Sequence, residues 1–332
     1  MAQDPAQALA AVVPPELRDL LRGRQLVLAR PVGGPHAGRH TGVRAGLGDQ
    51  FRGHRPYVPG DDPRRIDWRA VARRDRLVLR QTDAEDALSL VLLVDAAGGM
   101  SYGTGASNKQ RHAAGLAGAL AHLALRQGDN LGFALGRDGA LELAQLRPRS
   151  GAARLAALAH ALTREAAGIC PWPELVAAIA PSLPRRSLVL VLSDLLDPDP
   201  TRSDGDAQFL RGLAALRSRG HDVVLVQVLH RDELELPWTE RGMLRFEDAR
   251  GVREAIEGHA PGLRGAYLER LHAHLAGLER GCADAGLHLH RTVTDEPLTG
   301  ALLALLARLA GHPEPAAAPE PAPARTRTEP RR

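Results

Sequence analysis

Two stretches constrain the fold of this chain more than any other. "LSLVLLVD" (88–95) and "SLVLVLSD" (187–194) are almost continuously apolar, and each ends on an aspartate. A strand with one face in water alternates apolar and polar residues. One without that alternation must be covered on both faces, the condition of a central strand in a parallel sheet flanked by helices. "DVVLVQVLH" (222–230) reads the same way, and "GLHLHRTVTD" (286–295) is a last strand. Apolar residues at helical spacing fall between and around these runs: Ala113, Leu116, Leu120 and Leu123; Leu155, Leu158 and Leu162; Phe209, Leu213 and Leu216; Tyr267, Leu271, Leu275 and Leu278; Leu298, Leu302, Leu305 and Leu309. Strands alternating with helices predict an α/β fold, a doubly wound and mostly parallel sheet. "LGFAL" and "LELAQL" flank the turn "GRDG" and predict a hairpin, and "GMLRFED" predicts an edge strand.

The remaining segments divide the chain. Residues 1–35 hold one helix, at about 15–30, with Leu17, Leu20, Leu21 and Leu26 on one side. Residues 36–87 begin in "GGPHAGRHTGVRAGLGDQ" (33–50), which shows turn chemistry and no periodicity. The sheet domain occupies 88–310, and the Pro/Ala/Arg tail 311–332 lacks the apolar residues to build a core, so it is expected to be disordered. Cys170 and Cys282 make neither a metal spacing nor a disulfide framework. The N-terminus is not a signal peptide and no apolar run is long enough to span a bilayer, so a cytoplasmic protein without membrane insertion is expected. "DAAGGMSYGTG" lacks the spacing of a phosphate loop.

In an open parallel sheet, ligands bind beyond the carboxyl ends of the strands, where strand order reverses. Asp95 and Asp194 project from that edge. Two carboxylates side by side require a cation, an arginine or a shared proton between them. Mg²⁺ would serve, with Ser101, Ser193 and, by a longer reach, Ser150 as neutral oxygen ligands. Ala97 and Gly99 stand where the hydroxyls of such a site are expected, so any metal centre is degenerate. The alternative is structural: Asp95 accepts backbone N–H groups at a helix start and Asp194 pairs with an arginine. Of the 43 basic residues, only Lys109 is a lysine.

The segment 36–81 carries eleven Arg against five Asp, with Tyr57 and Trp68 among them. Pro59, Gly60, Asp61, Asp62 and Pro63 are strong turn chemistry, with Asp62 placed to cap a helix opened by Pro63. Alternating Arg and Asp suit a surface ion network; Arg beside Tyr and Trp also has the composition of a binding hot spot. "YVPGDDPRRIDWRAVARRDRLVLRQ" resembles the signature of the domain-of-unknown-function family fifty-eight. The matching positions are Tyr57, Pro59, Gly60, Asp61, Asp62, Arg64, Ile66, Asp67 and Trp68, with Ala72 and Arg73. The resemblance extends over about 36–310.

That resemblance implies a von Willebrand factor A-like domain and partnership with a MoxR-type AAA+ ATPase in assembling or activating a client protein. The metal motif of such domains is Asp-x-Ser-x-Ser with a later Thr and Asp; only Asp95 and, by position, Asp194 match it. The expected function is a non-enzymatic interaction module. Its contacts would be Arg55, Tyr57, Pro59, Gly60, Asp61, Asp62, Arg64, Arg65, Asp67, Trp68 and Arg73, together with the Asp95/Asp194 edge, and Mg²⁺ is the one cofactor suggested. Two alternatives remain. Binding of nucleic acid by the arginines is disfavoured by the offsetting aspartates and the lack of a reading helix. A hydrolase using Asp95 and Asp194, with His54, His288 and His290, lacks any nucleophile or metal-triad spacing.

Overall fold

The computed structural model describes residues 10–28, 37–57, 67–68, 70–71, 77–142, 151–196, 205–237 and 243–311. The apolar runs become the middle of a six-stranded sheet. Helix α1 (Pro15–Leu21) and a hairpin of β1 (Ala37–Pro56) and β2 (Val78–Asp86) precede it. Then come β3 (Ser89–Asp95), α2 (Lys109–Arg126), β4 (Asn130–Arg137), β5 (Ala140–Glu142), α3 (Ala152–Thr163), α4 (Trp172–Ile179), β6 (Leu188–Ser193), α5 (Gly205–Ser218) and β7 (Asp222–Leu229). The chain continues through α6 (Arg231–Glu235), β8 (Met243–Phe246), β9 (Ile256–His259), α7 (Ala260–Asp284), β10 (His288–Val293) and α8 (Leu298–Leu309). The strand order is β10-β7-β6-β3-β4-β5, parallel throughout except for β5, which runs antiparallel to β4.

The unbroken hydrophobicity of β3 and β6 serves two cores. Leu90, Leu92, Val94, Leu190 and Leu192 face one side, against Leu116, Leu120 and Leu123 of α2 and Leu302 and Leu305 of α8. Val91, Leu93, Val189 and Val191 face the other, against Trp172 and Ile179 of α4, Phe209 and Leu213 of α5 and Leu278 of α7. Side chains alternate across a strand, so an apolar residue at every position is the pattern that two covered faces require.

The N-terminal segment shares the first of these cores: Val12, Val13, Leu17, Leu21 and Leu26 are buried in it. Gly118 permits the approach, since a Cβ there would lie 2.8 Å from a methyl group of Val13. The helix ends at Leu21, nine residues short of the sequence expectation, with a turn at Arg22 and Gly23. Leu26 is buried from extended chain, where its N–H donates to Gln127 Oε1 (2.6 Å) and its carbonyl accepts from Gln127 Nε2 (3.1 Å). Gln127→Ala leaves both backbone groups without a partner in a buried setting. It is expected to cost about 2 kcal/mol, read as a lower urea midpoint with an unchanged slope.

Two expectations are corrected. Residues 37–50, read as turn-like, lie in β1. Its pairing with β2 comes from backbone hydrogen bonds, which need no side-chain alternation, and its register shifts fall among the glycines that hid the strand, between Thr41 and Ala45 and between Gly46 and Phe51. The strand at "GMLRFED" is not an edge of the main sheet. It forms a separate two-stranded ribbon with β9, Met243 opposite His259. Helix α4 was not anticipated from the sequence; Pro173 sits in its first turn. The tail beyond Gly311 lies outside the described residues. Among the described residues, no helix is long and apolar enough to cross a membrane.

Candidate functional site

Strand order reverses between β3 and β6, because the chain builds outward through β4 and β5 and then returns to build outward through β6, β7 and β10. Val94 pairs with Leu192 across that junction, so Asp95 and the Ser193–Asp194 pair leave neighbouring strand ends at one edge of the sheet; the sequence placed them at that edge but left the neighbouring of the strands open. Both carboxylates are buried, at 3% and 1% exposure.

Asp95 Oδ1 accepts from the Ala97 N–H (2.9 Å), and Oδ2 accepts from Ser193 Oγ (2.5 Å). The Leu195 N–H donates in turn to Ser193 Oγ (3.1 Å). Burial, reinforced by the charge of Asp194, pushes the Asp95 carboxyl up to about 6 against these hydrogen bonds. Asp194 behaves in the opposite sense. Burial would raise it, but the Lys109 ammonium and then the Arg250 guanidinium outweigh burial and hold it below the usual carboxylate range. Lys109 Nζ lies 3.0 Å from Asp194 Oδ2, and Arg250 Nη2 lies 3.0 and 3.2 Å from its two oxygens. Leu195, directly after, adopts φ 52° with its side chain fully buried, a left-handed turn that directs the chain away from the strand end.

Lys109 is the first residue of α2 and is wholly buried. Its second partner is Glu233 Oε1 at 2.6 Å. Glu233 is fixed in α6 by a capping box: its Oε2 accepts from the His230 N–H (2.8 Å), and its carbonyl accepts from Tyr267 Oη (2.7 Å). Tyr102 closes the rim, donating to Asp232 Oδ2 (3.0 Å) with its ring edge-on to His230. Arg250 is held by a loop in which Asp248 accepts from the N–H groups of Arg250, Val252 and Arg253. The ligand edge is therefore a network of acids already matched by two cations of the chain.

The residues present do not fit a divalent ion. Ala97 and Gly99 supply no oxygen ligand, and an ideal Cβ on Gly99 would stand 2.8 Å from both Arg250 Nη2 and Asp194 Oδ2, so the guanidinium fills the space a hydroxyl side chain would need. Ser193 already serves Asp95, and the exposed Ser101 donates to the Gly98 carbonyl (2.7 Å). Ser150 lies outside the described residues. Among the described residues, no group of three or more His, Cys, Asp or Glu is arranged to hold a metal. Asp194 does pair with an arginine, as the structural alternative supposed. Lys109, Glu233 and Arg250 were not picked out as site residues. Lys109 alone left a signal, being the single lysine; Glu233 and Arg250 come from irregular segments with no motif.

Of the arginine-rich segment, Pro59, Gly60, Asp61, Asp62, Arg64, Arg65 and Arg73 lie outside the described residues. Arg55 sits in β1 opposite Leu79. The Tyr57 N–H donates to the Leu77 carbonyl and the Asp67 N–H to the Val78 carbonyl. Asp67 also caps a short helical turn, accepting from the Ala70 N–H at Oδ1 (3.1 Å). Trp68, on that turn, is 65% exposed.

A family model described as "Protein of unknown function DUF58" matches residues 53–276. The chain is 28% identical over 315 residues to the uncharacterized protein Rv1480 of Mycobacterium tuberculosis (strain H37Rv), an alignment covering 90% of this chain and 93% of that protein. The same figures hold for the uncharacterized protein Mb1516 of Mycobacterium bovis.

Proposed function

The chain belongs to the DUF58 family, and from that premise we propose that it is a non-enzymatic interaction module of von Willebrand factor A type. It works with a MoxR-type AAA+ ATPase, in the cytoplasm, to assemble or activate a client protein. The strand order supports the fold type: the first long parallel strand lies at the centre, three parallel strands extend from β3 through β6 to β10, and a short antiparallel strand closes the other edge. The ATPase follows from the family resemblance.

The observation that carries the non-enzymatic reading is the neutralised ligand edge. A general acid or base must reach its substrate within hydrogen-bond distance. Asp95 and Asp194 instead spend their oxygens on Ser193, Lys109, Arg250 and backbone N–H groups, and are almost completely enclosed. Recognition is left to the surface. There the family signature presents an exposed Trp68 within an arginine-rich sequence, the residue types that dominate binding energy at interfaces.

The test is capture of a MoxR-type AAA+ ATPase from the same organism by the full chain, beside an Arg64→Ala/Arg65→Ala/Trp68→Ala variant. A single hot spot is worth about 2 kcal/mol or more, so the variant is expected to bind at least about thirtyfold more weakly while melting at the same temperature. Equal capture by the two proteins rules the signature out as the docking surface.

A further inference from the structure

The only lysine of the chain lies between Asp194 and Glu233. Every other cationic side chain with a fixed charge is arginine. At position 109 the geometry calls for an ammonium: Nζ sits 3.0 Å from Asp194 Oδ2 and 2.6 Å from Glu233 Oε1, with the side chain at 0% exposure. A compact tetrahedral donor can serve two carboxylates arriving from different strand ends. A guanidinium is a wider planar fork, best matched to both oxygens of one carboxylate. The place is otherwise hostile to a cation. Lys109 opens α2, where the helix dipole is positive, and the first turn has no acidic residue to offset it.

We propose that Lys109 is the resident cation of this sheet edge, supplying from within the chain the positive charge that clustered carboxylates would otherwise take from solution as a divalent ion. The ammonium ties three segments together: α2 after β3, the Asp194 turn after β6 and the Glu233 turn after β7. With Arg250 on the other side of Asp194, the charges of Asp194 and Glu233 are matched from within the chain, and docking there does not respond to divalent metal. The inference concerns the edge itself and stands or falls separately from the ATPase partnership.

Thermal unfolding of the full chain tests it. Melts of the wild type in EDTA and in millimolar MgCl₂ or MnCl₂, at matched ionic strength, are expected to agree within about 1 °C, because nothing then binds the native state preferentially. Lys109→Ala, melted in EDTA, should be destabilised and should recover by several degrees in ethylammonium chloride. It should not recover in tetramethylammonium chloride, which has the charge without hydrogen-bond donors. The recovery should vanish in Lys109→Ala/Asp194→Asn/Glu233→Gln. Stabilisation of the wild type by several degrees with Mg²⁺ or Mn²⁺ overturns the proposal, as does an alanine variant to which the two ammonium salts are equivalent. The wild-type comparison decides even if the alanine variant does not fold.

Discussion

Lys109→Met is expected to destabilise the protein by about 3–5 kcal/mol, the usual result of removing one partner from a buried ion pair. The methionine fills most of the lysine volume, so the loss is electrostatic rather than a cavity effect. Asp194 would keep Arg250, whereas Glu233 would lose its buried partner; its side chain is 16% exposed and can recruit some water, which places the expected loss nearer the lower figure. A net stability of about 5–15 kcal/mol makes this a large fraction of the total. Neutralising the acids at the same time separates charge from shape. Lys109→Met/Asp194→Asn/Glu233→Gln should recover part of the loss: the ammonium and both its carboxylates go as a unit, while Arg250 gives up the Asp194 charge. Urea unfolding of the single and triple variants gives both numbers. A single variant within about 1 kcal/mol of wild type would mean that the ammonium is worth no more than an exposed pair.

The second large effect is a dependence on pH that runs against the habit of carboxylates. Asp95 has an ordinary value of 3.8 and is pushed up to about 6 in the folded chain, by burial first and by Asp194 second. The folded state therefore holds this proton more tightly than the unfolded state. Its contribution is complete below pH 3.8, and declines as pH rises until the folded carboxyl has itself ionised at about 6. The full span, converted at about 1.4 kcal/mol per unit, is about 3 kcal/mol. Asp194, held low, contributes in the opposite sense and loses its stabilisation as the solution becomes acidic. Asp95→Asn isolates the first effect. Relative to wild type, the variant should gain stability steadily between about pH 4 and 7, by about 2–3 kcal/mol. A difference that stays flat across that range would show that Asp95 ionises as it does in water.

These predictions turn on residues of very unequal visibility. Asp95 and Asp194 could be found because each interrupts an apolar run, and a carboxylate at the end of a buried strand has few neutral explanations. Their common edge also followed from the sequence, since parallel strands buried on both faces end on one side of the sheet; that the two strands are neighbours came from the structure. Ser193 was considered as a ligand to a metal; in the fold its hydroxyl donates to Asp95. Glu233 lies 124 residues from Lys109 in sequence, and nothing local distinguishes it from any other acidic residue in a helical turn. Arg250 is one arginine among many. The hairpin of β1 and β2 stayed hidden because glycines and histidines carry no period-two pattern, and the pairing that makes it a strand belongs to another segment.

What the sequence determined by itself is the layered α/β body and the edge at which its acids emerge. Hydrophobic burial is set by which residues are apolar and at what spacing, and both can be read along the chain. Only the tertiary structure decided how those acids are neutralised. Charge compensation in a buried site depends on distances of about 3 Å between side chains remote in sequence, and such distances exist only once the strands and helices have been brought together.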